Sequence, residues 1–87
     1  MVATLDATPE AEPQLTRAHG VQLTPAGRRQ WRVTDRAGLV VGHLMRVDGD
    51  ADRPFRARRF RPSTRAFVEV GAFWSADDAV DALRFSR

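Results

Sequence analysis

Apolar and polar residues alternate with period two through Gln30-Trp31-Arg32-Val33-Thr34, which predicts a strand with Trp31 and Val33 on one face and Arg32 on the other. Asp35-Arg36-Ala37-Gly38 follows as a turn with glycine in its last place. A second strand is expected over Leu39–Val47, with Leu39, Val41, His43, Met45 and Val47 sharing a face. Asp48-Gly49-Asp50-Ala51-Asp52 is a polar connection. A third strand is predicted from about Pro54 to Arg61, proline being tolerable only at its start. Pro62-Ser63-Thr64 turns the chain, and Ala66–Phe73 reads as a fourth strand. In the third strand Phe55 and Ala57 share one face, and Phe60 falls on the other beside Arg56 and Arg58. Either Phe60 stands there between arginines, or a bulge at Arg58-Arg59 returns it to the core. The bulge is the preferred reading, because so short a chain has few phenylalanines to spare.

The chain's end carries its clearest local signal. Ser75 with Asp78 three residues later forms a capping box, and Asp77 and Asp78 suit the positive start of a helix. Arg84 and Arg87 suit its negative end. Ala76, Ala79, Val80 and Leu83 recur at spacings of three and four, giving one apolar stripe to lay on a sheet. Trp74 precedes the cap, where an exposed aromatic would serve as an anchor for a protein partner.

Residues 1–27 read as a poorly ordered tail, broken by Pro9, Pro13 and Pro25, in which Val21-Gln22-Leu23 would add at most a short strand. Residues 28–87 then form the domain. The expected class is α+β: an antiparallel meander of four strands, three at the least, with one C-terminal helix packed on one face. Trp31, Val41, Val68, Val70 and Leu83 are the core candidates. One helix covers one face only, so the other is left to solvent or a partner.

Composition changes the picture in one respect. The 87 residues hold fourteen arginines and no lysine, and isoleucine, asparagine, tyrosine and cysteine are absent as well. Such usage marks a GC-rich coding sequence, in which arginine is the default cation. Its distribution is nonetheless uneven: six arginines lie between Arg53 and Arg65. The formal charge of +3 hides a basic middle between two acidic flanks. Arginine forks match phosphate oxygens and stack on bases, so Arg32, Arg46, Arg56, Arg58, Arg59, Arg61 and Arg65 with Phe60 are the candidate nucleic-acid contacts.

The remaining chemistry is sparse. Without cysteine there is no thiolate chemistry and no disulfide. His19 lies in the expected tail, and His43 shares a strand with no second ligand at metal-binding spacing. Asp48, Asp50 and Asp52 resemble the start of a calcium loop, but glycine stands in the wrong place and Arg53-Pro54 follows. Asp77, Asp78 and Asp81 are explained by the helix, the last on its wet side. Ser63, Ser75 and Ser86 have no base at a recognisable spacing. The sequence therefore predicts a non-enzymatic domain with no cofactor, no metal, no small-molecule substrate and no membrane span. With no basic, apolar leader visible at its start, a cytoplasmic location is expected.

The segment Ala66-Phe67-Val68-Glu69-Val70-Gly71-Ala72-Phe73-Trp74-Ser75-Ala76-Asp77-Asp78-Ala79-Val80 resembles the last strand and helix start of the plant ethylene-response-factor DNA-binding domain. It is similar as well to phage integrase arm-type DNA-binding domains. Gly71, Phe73, Ser75, Asp78 and Ala79 stand at matching places, and Phe55–Arg61 would correspond to the basic, aromatic middle strand. The resemblance implies a sheet laid in the DNA major groove, with Arg46, Arg56, Arg58 and Arg61 as contacts. The strand around Trp31 and the acidic Glu69 depart from that pattern. The Gly-x-Phe-Trp-Ser ending also resembles short uncharacterised proteins of high-GC Gram-positive bacteria, a likeness that implies no mechanism. Three readings are thus in view: a nucleic-acid-binding module; a protein-interaction domain, as a homodimer or with another protein; or a domain whose arginines form a solvated face, partly paired with the local aspartates.

Overall fold

A computed structural model describes residues 11–16 and 19–85. The chain forms strands β1 (Val21–Gly27), β2 (Gln30–Asp35), β3 (Val40–Arg46), β4 (Phe55–Arg61) and β5 (Ala66–Phe73), then helix α1 (Ala76–Phe85). The strands lie in the order β1-β2-β3-β4-β5, each antiparallel to the next, so the sheet is an open meander. The α+β class stands, with five strands where four were expected.

The additional strand comes out of the expected tail. Residues 1–10 and 17–18 of that tail lie outside the described residues. Val21–Gly27 pairs with β2 from Val21 opposite Asp35 to Gly27 opposite Gln30. Backbone pairing, rather than an apolar stripe, makes this strand, since Leu23 is its one buried side chain. Pro25 is tolerated because β1 is an edge strand, where one side of the backbone has no ladder partner.

Helix α1 begins as expected: Ser75 Oγ accepts the Asp78 amide at 3.1 Å. Asp77 and Asp78 occupy the first turn and Arg84 the last; Arg87 lies outside the described residues. The helix lies on β3, β4 and β5. Its buried Ala76, Ala79, Val80 and Leu83 meet Trp31, Val33, Leu44 and Ala57, with Leu23 completing the buried core. Of the expected core, Trp31 and Leu83 are buried, whereas Val41 and Val70 are half-buried against it. Val68 is half-buried and outside that cluster.

Two bulges decide which face each side chain takes. In β3, Val41 is the unpaired residue between the pairs Val33–Gly42 and Thr34–Val40. The stretch Val40-Val41-Gly42-His43-Leu44-Met45 is apolar at both parities, and the phase expected for it is the reverse of the one adopted. Leu44 is buried under the helix, while His43 and Met45 lie on the opposite face. In β5, Val70 is unpaired between Gly71, opposite Ala57, and Glu69, opposite Arg58. Gly71 completes that bulge at a φ of 157°, a backbone conformation that a side chain would strain. The bulge thus lies in β5 and not at Arg58-Arg59. β4 keeps strict alternation, and Phe60 stays on the face of Arg56 and Arg58.

Gly42 is required for space. A Cβ there would run into the Arg58 carbonyl oxygen and come within 2.9 Å of Leu83 Cδ2. The helix can approach β3 closely only because that position is bare.

Candidate nucleic-acid interface

The register builds the uncovered face from cross-strand rows. The central row runs Thr24, Arg32, His43, Arg58 and Glu69 across all five strands. A row on one side runs Gln30, Met45, Arg56 and Ala72. On the other side Thr34, Val40, Phe60 and Phe67 occupy the same face. The face therefore carries three arginines, with an apolar and aromatic stripe along one side of the central row.

His43 sits in the middle of that arrangement. Gln30 Nε2 donates to His43 Nδ1 at 2.9 Å, which leaves the hydrogen of the neutral ring on Nε2. Phe67 reaches across from β5 to stack on the imidazole, with centroids 4.3 Å apart and planes at 16°. Phe60 meets Phe67 at 5.3 Å in a tilted pair. Burial, together with the positive charges of Arg32 and Arg58 on either side, lowers the His43 pKa from its ordinary value. The ring is held neutral between two guanidinium groups.

The flanking arginines differ in freedom. Arg32 is exposed and makes no ion pair among the described residues. Arg58 Nε lies 3.3 Å from Glu69 on the surface, and Arg56 Nη2 lies 3.5 Å from Asp50. Solvent-exposed pairs of this kind contribute at most about 1 kcal/mol, so a phosphate can replace the carboxylate at small cost.

The other expected contacts do not join this face. Arg46 lies on the helix side, its guanidinium 5.3 Å from the Trp31 ring and 5.7 Å from that of Phe55, with Nη1 donating to the Ala11 carbonyl. Alternation puts Arg59 and Arg61 on the Ala57 face. Arg65 occupies the β4–β5 turn with a φ of 54°. Of the eight expected residues, four therefore share the open face: Arg32, Arg56, Arg58 and Phe60. Sequence reasoning missed His43 and Phe67 there. Phe67 was readable from alternation with Glu69, whereas His43 required the phase of β3. Trp74 is 70% exposed beside the helix cap, on neither row.

A second polar cluster has formed away from the sheet face. His19, expected in a tail, is buried with Nε2 2.7 Å from Asp77 Oδ1 and Nδ1 3.0 Å from Asp81 Oδ1. The Thr16 amide and hydroxyl also donate to Asp77, at 3.0 Å and 2.7 Å. Asp77 and Asp81 stand one turn apart on α1, so they grip the two edges of one imidazole. This corrects the assignment of Asp81 to a wet side and of Asp77 to dipole complementation alone. The cluster latches the N-terminal segment to the helix. Its four side chains are linked through two residues: the His19 ring joins Asp77 to Asp81, and Thr16 donates to Asp77. Among the described residues no group of three His, Cys, Asp or Glu is placed to hold a metal ion.

An open cavity of about 520 Å³ lies beside the latch, lined in part by His19, Asp35, Arg36, Val41 and Arg84. The Asp48–Asp52 stretch is a connection between strands: Asp48 pairs with Arg29, and Asp50 accepts the Arg53 amide at 3.0 Å. No described helix is long and apolar enough to cross a membrane. Comparison of the chain with protein-family models, with curated proteins and with solved structures finds no match.

Proposed function

We propose that this chain is a small non-enzymatic nucleic-acid-binding module that works through the uncovered face of its sheet. The observation that carries the reading is the central row, where Arg32 and Arg58 flank a neutral, stacked His43 on a face that no described element covers. Arg56 lies in the adjoining row. Guanidinium groups held on a rigid sheet bind phosphate oxygens without the ordering cost that the same groups on a loop would incur. Arg46 is excluded from the contact set because its charge is used over Trp31 and Phe55. Arg59, Arg61 and Arg65 contribute long-range attraction only.

Neutralising about three phosphates predicts that log affinity falls with log salt at a slope of roughly −2 to −3. Fluorescence anisotropy with a labelled oligonucleotide between low and physiological salt measures it. An affinity that does not change with salt would remove the reading.

A second reading, a protein-interaction domain, is favoured by Trp74, an indole 70% exposed on a helix-capping loop. It predicts a mass that rises with protein concentration or a partner whose binding is lost in Trp74→Ala. Sedimentation of the full chain as a monomer at all concentrations removes its dimeric form.

A further inference from the structure

We infer that the nucleic acid taken by the open face is single-stranded, its bases stacking beside Phe67 and Phe60 while Arg32 and Arg58 hold its phosphates. The inference rests on the nucleic-acid reading above and specifies the form of the ligand.

Phosphate-binding arginines alone do not distinguish a duplex from a single strand; the stripe next to them does. Phe67 remains 40% exposed although it contacts both His43 and Phe60. Val40, on the same face, and Leu39, just before β3, are exposed too. Folding has left an aromatic and aliphatic stripe open to water directly beside a cationic row. Successive residues on one face of a strand are about 6.6 Å apart, so the stripe and the row are separated by about that distance. A phosphate and the base it carries span a similar length. A single strand laid along the boundary would place its backbone on Arg32 and Arg58 and its bases on the stripe.

A duplex fits the same surface less well. Its base faces are hidden in the stack, and what it presents to a flat sheet is phosphate and groove edge. Phe67 and Val40 would then be pressed against charged oxygens or left in water. With a single strand the same side chains are covered by π-faces, which stack regardless of sequence. The neutral state of His43 serves this arrangement, because an uncharged ring continues the aromatic surface.

A second copy of the chain is a weaker occupant. Among the described residues Arg32, Arg56 and Arg58 face only two carboxylates, Glu69 beside Arg58 and Asp50 beside Arg56, so apposing two such faces leaves like charge facing like. The charge complements a polyanion instead.

The test uses the full chain, a labelled single-stranded oligonucleotide and a hairpin duplex of equal phosphate count, titrated near 0.15 M salt. Single-strand binding should be about tenfold tighter or more. Phe67→Leu keeps the apolar volume and removes the ring, and should weaken the single strand by about fivefold or more while leaving the salt slope unchanged. Phe60→Leu serves as the second variant, with an amide spectrum to confirm that each is folded. Arg58→Gln should instead reduce the slope by about 0.7. A duplex bound as tightly, or a Phe67→Leu protein that binds the single strand as before, overturns this inference and leaves the broader reading intact. Binding of neither form removes both.

Discussion

The two faces of this sheet are made by the same strands and differ in almost everything else. On the covered face Trp31, Val33, Leu44 and Ala57 are removed from water, and the Arg46 guanidinium is laid against aromatic rings. On the open face Arg32 and Arg58 flank an imidazole, with Arg56 in the adjoining row and aromatic side chains left partly exposed. Arginine is therefore not one signal in this protein. Where it sits over Trp31 it is packing, and where it flanks His43 it is charge offered to a partner. That every cation is arginine is a property of the whole chain, but it does not explain why three of them share the face that the helix leaves bare.

If stability resides in the covered face, damage there should dominate. Leu44→Ala removes a fully buried side chain at the centre of β3 and should cost about 2–5 kcal/mol in denaturant unfolding. Gly42→Ala, on the same strand, should cost about 1–3 kcal/mol through the clash with the Arg58 carbonyl and Leu83. Phe67→Ala, although it deletes a larger side chain, should cost less than Leu44→Ala because its ring is already partly in water. A larger loss at Phe67 would break the division between the faces.

The N-terminal latch extends the covered face beyond the sheet. Leu15 packs against the core, and Thr16 and His19 bond to Asp77 of α1. His19→Ala removes a buried ring bonded to both Asp77 and Asp81, and should cost about 1–3 kcal/mol. The same variant should raise proteolytic cleavage within residues 11–20. A protein that retains both stability and protection would show that Leu15 and the Thr16 and Ala11 hydrogen bonds hold the segment without the imidazole.

How far the sequence announced these features depends on the range of the forces involved. The helix cap was legible because Ser75 and Asp78 are three residues apart and need nothing else. The bounds of β4 and β5, and the face of Trp31, followed from local alternation and turn residues. The phase of β3 did not, since its apolar residues occur at both parities and the bulge at Val41 resets the count. β1 was hidden for another reason: an edge strand held by backbone hydrogen bonds needs little apolar pattern, and Pro25 argues locally against it. The latch joins residues about sixty positions apart, which no spacing rule can see. Its trace was present nonetheless in Asp77 and Asp81, one helical turn apart. Arg46, Arg59, Arg61 and Arg65 lie off the open face because strand alternation and the β4–β5 turn, rather than closeness in sequence, decide where each side chain goes.

Charge on the open face should be almost silent in folding. Arg32→Gln with Arg58→Gln removes one unpaired guanidinium and one surface pair with Glu69, and stability should change by less than about 1 kcal/mol. Arg46→Gln, by contrast, strips a cation from over Trp31 and Phe55 and should cost about 1–2 kcal/mol. Measured together by urea unfolding, these variants compare arginine as partner contact with arginine as packing. Equal losses would mean that the distinction drawn from position does not hold in energy.

The finest comparison uses His43 as a reporter. Burial first, then Arg32 and Arg58, lower its pKa in the folded protein below the ordinary value near 6.5. The unfolded chain then binds a proton more readily than the native one, so protonation favours unfolding. The contribution of neutral His43 is fully present above about pH 6.5 and is lost as pH falls through its lowered native value. Urea midpoints at pH 7.5 and pH 5 should therefore differ less in His43→Gln than in the parent protein, once both are corrected for ionic strength. The same ring followed by NMR should titrate below 6.5, and higher in the Arg32→Gln, Arg58→Gln protein. Adding a saturating oligonucleotide should also raise it, because bound phosphate offsets the two guanidinium charges. A ring that titrates at its ordinary value and ignores both changes would mean that the arginines on the open face do not act on its centre.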